Sequence, residues 1–222
     1  MTPELLDPVR HARLRVQDLA TQPPHFLQVL AGEFSAAVTC CPLLFSKDTS
    51  DGRFFAGAMF GFKPGEDFVG GIEERGGFDP LMLRREGFFI SGQQIAIDRD
   101  HARFGETAGE PLFGDDGAPA PALRAIQRAL GEIHAGIEQT QAFIAAMSEL
   151  KLVEPIDVSL KFTDGEKLSL QGLYTISLDR LRAIDDAAAL RLFRAGHLQL
   201  AYLMTASLRH LGRLAQRRNR LS

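Results

Sequence analysis

The chain has 222 residues, 45% of them hydrophobic and 24% charged, with a formal net charge of -3; this is enough ordinary globular sequence to bury a sizeable core in one domain. The composition excludes a disordered chain, and the charge balance leaves no electrostatic footprint for nucleic acid. No run approaches the ~20 apolar residues of a membrane span, and the opening MTPELLDPVRHARLRV lacks the basic end and continuous apolar core of a secretory signal, so a cytoplasmic protein without a transmembrane segment is expected.

Residues 1 to 37 hold polar and proline-bearing segments, including Pro23-Pro24, and a short apolar helix candidate, His25 to Leu30, before Gly32-Glu33-Phe34. Ala37 to Phe45 (AVTCCPLLF) is rich in strand formers, with Pro42 marking an edge or a bulge. Lys47 to Gly52 is turn chemistry and Arg53 to Phe62 resumes a strand, so the two form a hairpin. Cys40 and Cys41 are the only cysteines. As neighbours on a strand they would point to opposite faces and not bridge, which argues for a reducing compartment. Lys63 to Pro80, with Gly65, Gly70, Gly71, Gly76 and Gly77, is loop material; Pro80 to Arg85 suits a helical turn or two; Phe88 to Asp98 reads as a strand broken at Ser91-Gly92.

The second half carries the clearer patterns. Leu123, Ile126, Leu130, Ile133, Ile137, Ile144 and Met147 follow steps of three and four, with Thr140 filling the one polar gap; they mark a long amphipathic helix after Pro119 and Pro121 that ends near Leu150. From Ile156 to Phe162 the period becomes two, and Asp164-Gly165 supplies the positive φ angles of a tight hairpin turn. Leu168, Leu170 and Tyr174 continue the return strand around Gly172. Ser177 is placed to cap a short helix running to Asp185, and a last helical region runs from Ala187 towards Arg218, interrupted at Gly196. The expected fold is α+β: a mostly antiparallel sheet with two long helices packed on it. It is read as a single domain over 1–222, with a strand-rich part at 36–113, the long helix at 119–150, a hairpin at 155–176 and C-terminal helices at 178–218.

The stretch IDRDHARFGETAGE places Asp98, Asp100, His101, Glu106 and Glu110 close together. A calcium loop counted from Asp98 has Ala102 at its fifth position, Arg103 where the turn glycine belongs and Gly109 where the bidentate glutamate belongs, so that motif fails. An iron site of the two-histidine, one-carboxylate kind needs His-x-Asp or His-x-Glu, and His101 is followed by Ala102-Arg103. The plain expectation is that Asp98 and Asp100 end a strand while Glu106 and Glu110 decorate turns. His197 falls beside Phe193, Leu200, Ala201 and Met204 and suits a hydrogen-bonded core histidine; His134 lies at the edge of the long helix's stripe. Gly61-Phe62-Lys63-Pro64-Gly65-Glu66-Asp67 lacks the G-K-[ST] of a phosphate loop, and no nucleophile elbow, H-E-x-x-H or C-x-x-C is present. No catalytic residue, cofactor or metal is assigned. Arg209, Arg213, Arg217, Arg218 and Arg220 sit at a helix C-terminus, which favours cations; they read either as a solvated tail or as a surface for an acidic protein or, more weakly, for a membrane.

Several stretches together resemble the SapC family of bacterial proteins. They are Gly32-Glu33-Phe34, Cys41 to Phe45, Gly61 to Asp67, Ile97 to His101 with Gly105 to Phe113, Thr163-Asp164-Gly165, Leu170 to Tyr174, Ala195 to Leu198 and Ala206-Ser207-Leu208. The chain departs from the family at Cys41, where members usually carry Tyr, and at Glu86-Gly87. The resemblance implies an accessory role beside an envelope or uptake assembly and no defined reaction. The leading expectation is therefore a non-catalytic protein that binds a protein partner, with Arg209, Arg213, Arg217 and Arg218 as partner-binding residues. The alternative is a small-molecule- or metal-binding protein or enzyme using Asp98, Asp100, His101, Glu106, Glu110 and Phe113. Self-association through the long helix's stripe is a third expectation.

Overall fold

The structure, a computed structural model, describes residues 3–17 and 24–221; Pro23 lies outside the described residues. Contacts gather the chain into two compact units, 1–21 with 81–135 and 22–80 with 136–222.

In the first unit Glu4–Leu5 pairs antiparallel with Gln94–Ile97, which pairs in turn with Phe88–Ser91. The segment expected as one broken strand is thus a hairpin. Gly92 takes φ 61 at its turn, a conformation only glycine adopts without strain. Arg15–Val16 lies between Phe104–Gly105 and Glu110–Pro111 in a second small sheet. Leu14, Val16, Phe88, Ile97, Phe104, Leu112 and Phe113 form the core with Leu123, Ile126 and Leu130 of the long helix. The helix Leu81–Arg84 also belongs to this unit, as expected of Pro80 to Arg85.

The second unit is built on a five-stranded antiparallel sheet in the order Val153–Pro155, Leu173–Ile176, Leu43–Lys47, Phe54–Met59, Phe26–Gln28. Two expectations are corrected here. Phe26–Gln28, inside the helix candidate, is an edge strand paired with Gly57, Ala58 and Met59; so short an apolar run has no period to separate helix from strand. Gly57 makes room for it, since a Cβ there would lie 2.4 Å from the Phe26 ring. The run from Ala37 does not start a strand either. Phe34–Ala37 is helical, the turn continues with Cys40 and Cys41 N–H both donating to the Ala37 carbonyl (3.1 and 3.0 Å), and the strand begins only after Pro42. The two cysteines therefore do not sit on opposite strand faces, and their Sγ atoms lie 3.6 Å apart. The hairpin of Leu43–Lys47 with Phe54–Met59 forms as expected.

The long helix is Pro121–Glu149, with proline at the first helical position, where its missing N–H leaves no helical bond unmade. Leu123, Ile126, Leu130 and Ile133 are buried as their spacing demands, but Ile137 is 41% exposed. A real helix turns every 3.6 residues, so its buried line drifts across a repeating three-four pattern. Beyond Ile133 the inward residues are Thr140, Phe143 and Met147, with Gly136 giving close approach to Leu30, whose Cδ1 would be 2.9 Å from an added Cβ.

Val158–Lys161 and Lys167–Leu170 pair as a hairpin. Its turn has one positive φ, Gly165 at 86°, and Phe162 N–H donates to Glu166 O at 2.9 Å. It is a three-residue loop, Thr163-Asp164-Gly165, closed by a left-handed glycine, in place of the expected two-residue turn. Gly172 (φ 73) then frees Leu173–Ile176 to join the large sheet. Ser177 precedes Leu178–Arg182 without a side-chain cap bond, whereas Asp185 caps Asp186–Arg194 by accepting from Ala188 N–H at 2.8 Å. Gly196, φ 74, separates that helix from His197–Ser207, and Arg209–Leu221 ends the described chain. The fold is α+β, with antiparallel sheets on which the long helix and the C-terminal helical segment pack. No helix among the described residues is long and apolar enough to cross a membrane.

Candidate functional site

The acidic stretch in the first unit is spread over different environments. Asp98 is buried at a strand end, its N–H donating to Gly87 O and its carbonyl accepting from His101 N–H, both at 2.9 Å. Asp100 is exposed. His101 is half-buried, with Nδ1 accepting from Arg103 N–H at 3.4 Å and its ring set edge-on to Phe104. Glu106 is exposed and ion-paired with Arg99 at 3.0 Å, Glu110 is exposed on its short strand, and Phe113 is in the core. Among the described residues no three His, Cys, Asp or Glu side chains are grouped so as to hold a metal ion. The residue that fixes this stretch is Arg103, buried, donating from Nη1 to the carbonyls of Arg84 (2.8 Å) and Glu86 (3.0 Å), with its guanidinium over the Phe88 ring. Nothing in the local sequence pattern singles it out. Beside the stretch, Arg10, Arg13, Arg99 and Glu106 line an open cleft of about 240 Å³ together with the rest of residues 9–14.

In the second unit a polar constellation forms around Arg218. This side chain, expected with its neighbours either on a solvated tail or on a partner-binding surface, is buried. Its Nη2 donates to Glu166, Asp164 lies 3.6 Å away and Glu66 3.7 Å, and the guanidinium carbon sits 3.6 Å from the centre of the Phe162 ring. Lys63 pairs with the other oxygen of Glu166. Hydrogen bonding from Lys63 first, and then from Arg218, holds the Glu166 carboxyl below the ordinary glutamate value. Glu66 also accepts from Phe62 and Lys63 N–H at 2.9 Å each, tying its own loop into a turn. Gly61 is obligatory there, because a Cβ would fall 2.3 Å from the Glu66 carbonyl oxygen. Gly61–Asp67 and Thr163–Gly165, separate in sequence, thus meet on one arginine. Next to it Arg217 donates to the carbonyls of Phe68 (2.7 Å) and Val69 (3.0 Å), while Arg209, Arg213 and Arg220 remain exposed.

The histidines divide differently from expectation. His197 is half-buried against the Phe143 ring, and His134 is exposed. The buried, hydrogen-bonded histidines are His11, whose Nδ1 accepts from Asp7 N–H at 2.9 Å and whose Nε2 lies 3.0 Å from Glu4 Oε1, and His210, 1% exposed, with Nε2 2.9 Å from Val38 O. The signal for His210 was the spacing of Met204, Ser207, Leu211 and Leu214, which places it on the same inward face. Burial lowers the pKa of both His197 and His210 from the usual imidazole value. On the helical hairpin formed by Asp186–Arg194 and His197–Ser207, Leu190, Phe193 and Tyr202 stay in solvent; Phe193 is 70% exposed and Tyr202 53%.

Two small sheets in one unit, a five-stranded antiparallel sheet in the other, a helix of nearly thirty residues shared by sequence between them and a basic C-terminal helix define an α+β protein built on antiparallel pairing. The SapC family model matches residues 6–214, and the chain belongs to the SapC family. No curated protein and no solved structure matches it.

Proposed function

We propose that this SapC-family chain is a non-catalytic accessory protein of an envelope- or uptake-associated pathway, and that it binds a protein partner through its C-terminal helices. The observation that carries this reading is the exposure of Leu190, Phe193 and Tyr202 on two helices, the first of which also presents Arg191 and Arg194 to solvent, with Arg209 and Arg213 exposed on the helix that follows. Exposed aromatic and arginine side chains are the residue types enriched among the energetic anchors of protein interfaces. Arg217 and Arg218 play a different part, since both spend their donors on their own unit and hold the helix in place. The partner surface is expected to be acidic around an apolar pocket. The test is affinity capture from the native host, comparing wild type, Phe193→Asp, Tyr202→Asp and a control change at exposed Val9. A near-stoichiometric partner retained by wild type and by the control, and lost with the two helix variants, supports the assignment; equal retention by all four sinks it.

A second reading rests on the cleft of Arg10, Arg13, Arg99 and Glu106. At about 240 Å³ it is smaller than the ~300–1,000 Å³ of drug-sized ligand pockets and suits a small anion. Native mass spectrometry of protein purified from its host would detect such a ligand. Its loss in Arg13→Ala, with Asp98→Ala and His101→Ala as probes of the adjoining stretch, would favour this reading over the first.

A further inference from the structure

We propose that Cys40 and Cys41 form a reversible dithiol modification site, in which Cys40 is attacked first by a low-molecular-weight disulfide and Cys41 resolves the product into a Cys40–Cys41 disulfide. The two Sγ atoms lie 3.6 Å apart on one side of a helical turn, and both point to the Ala37 carbonyl, at 3.5 and 3.3 Å. Access is unequal. Cys40 is half-buried and Cys41 fully buried, so a reagent from solvent meets only the first sulfur.

The surroundings favour a thiolate at Cys40. Its S–H value is lowered, chiefly by hydrogen bonding with the Cys41 thiol, then by Thr39 and by the positive charges of Arg75 and Arg217, with burial acting against them. Arg75 is 5% exposed; Nη2 is bound to Asp67 at 3.1 Å, its guanidinium rests on the Phe60 ring, and its buried Nε has no hydrogen-bond partner among the described residues. A guanidinium with an unmade donor, whose charge acts on both thiols, is a standing source of stabilisation for an anion at this turn. Cys41 is pushed the other way, first by its hydrogen bond with Cys40, then by burial and by the Cys40 charge. The two shifts run in opposite directions, so Cys40 is the thiol of the pair that ionises more readily.

The chemistry balances with oxidised glutathione as the oxidant. The Cys40 thiolate attacks one sulfur of the glutathione disulfide, forming a Cys40–glutathione bond and expelling one glutathione thiolate. Capping Cys40 removes the charge and the hydrogen bond that raised the Cys41 value, so Cys41 gives up its proton to the expelled thiolate more readily. The Cys41 thiolate then attacks Cys40 Sγ and expels the second glutathione. Counted from the two thiols, the protein loses two protons and two electrons, and one glutathione disulfide becomes two glutathione thiols.

Closure brings the sulfurs from 3.6 Å to the ~2.05 Å of a disulfide. Adjacent Cα atoms across a trans peptide are ~3.8 Å apart, below the usual disulfide range of about 4.4–6.8 Å, so the closed ring is strained and correspondingly easy to reduce. Reversibility follows from that strain. Closure also withdraws both S–H donors from Ala37 O, in the turn that His210 grips through the Val38 carbonyl.

The experiment treats the native full-length protein with oxidised glutathione and follows intact mass and thiol-resolved peptide maps. Wild type is expected to lose two hydrogens and keep no glutathione, with full recovery after reduction. Cys41→Ser is expected to hold one glutathione on Cys40, and Cys40→Ser to gain none while folded. Stable retention of glutathione by wild type would overturn the resolving role of Cys41 without recourse to any variant. Equal reaction of Cys40→Ser and Cys41→Ser, or no reaction of wild type, would overturn the assignment of Cys40 as the attacking group.

Discussion

Replacing Thr140 by Val pits two physical effects against each other at one buried position. By pattern alone the change completes the apolar stripe of the long helix and should stabilise it. The exchange of hydroxyl for methyl is nearly isosteric, the helix propensities are close, and one added buried methyl is worth about 0.8 kcal/mol. The structure gives the hydroxyl a task, however. Thr140 Oγ1 accepts from the Ala31 N–H at 2.9 Å and donates to the Gly136 carbonyl at 2.7 Å, and both Ala31 and Thr140 are buried. Valine leaves that N–H without a partner or water, which costs about 1–3 kcal/mol. The unmet donor outweighs the methyl, and a net loss of roughly 0.2–2.2 kcal/mol, centred near 1, is expected. With a slope of ~3 kcal/mol per molar urea, the midpoint should fall by roughly 0.4 M. Because two compact units need not unfold together, hydrogen exchange at the Ala31 amide is the sharper probe. Thr140→Ser keeps the bond and loses only a methyl, so Ala31 should stay protected there and lose protection in Thr140→Val. A Val variant as stable as wild type, with Ala31 still protected, would refute the argument.

Three other outcomes are expected. His197 and His210 have depressed folded-state values, so as pH falls through about 6.5 the unfolded chain takes up protons that the folded chain resists; stability should drop across that window, and His210→Gln should flatten the slope in denaturation series from about pH 8 to 5. Gly61→Ala places a Cβ 2.3 Å from the Glu66 carbonyl oxygen, a backbone atom that cannot swing away, and should destabilise by roughly 2–3 kcal/mol in thermal unfolding, whereas Gly32→Ala, with open space at its Cβ, should change little. Arg218→Met keeps an apolar stem near Phe162 but removes the cation beside Glu66, Asp164 and Glu166, leaving Lys63 paired with Glu166; its melting temperature should fall at neutral pH, and because Glu166 is held below its ordinary value of 4.5 in the wild type the deficit should shrink as pH falls below that value and Glu166 protonates, an outcome that an identical deficit at neutral and acid pH would rule out.

What was legible in the sequence was local and periodic. The long helix, the Leu43–Lys47 and Phe54–Met59 hairpin and the helical break at Gly196 follow from hydrophobic spacing and glycine placement within a few residues of each other. What was not legible needed partners far along the chain. Phe26–Gln28 is a strand because Gly57 accepts its ring, and Thr140 is inward because Ala31 needs an acceptor. The two compact units interleave in sequence, so no linker composition announces them. Cys40 and Cys41 were misplaced by the β-propensity of their neighbours, where the helix Phe34–Ala37 propagates one more turn before Pro42, which has no N–H of its own to continue it.

The same distance dependence explains why the arginines of the last helix could not be sorted from sequence. Five of them between 209 and 220 look equivalent as charges at a helix end, yet a helix with one buried face must give them different fates. Position 218 falls on the line of Leu211 and Leu214, so its guanidinium enters the interior and has to be met there by carboxylates, which Asp164 and Glu166 of one loop and Glu66 of another supply. A buried charge is tolerated only with such partners. Arg218 can therefore be removed only at a structural penalty, while Arg209 and Arg213 can be replaced without disturbing any contact among the described residues that holds the fold. Charge reversal at Arg209 and Arg213 should consequently weaken partner capture at unchanged thermal stability, and loss of stability in that double variant would show that these two arginines serve the fold instead.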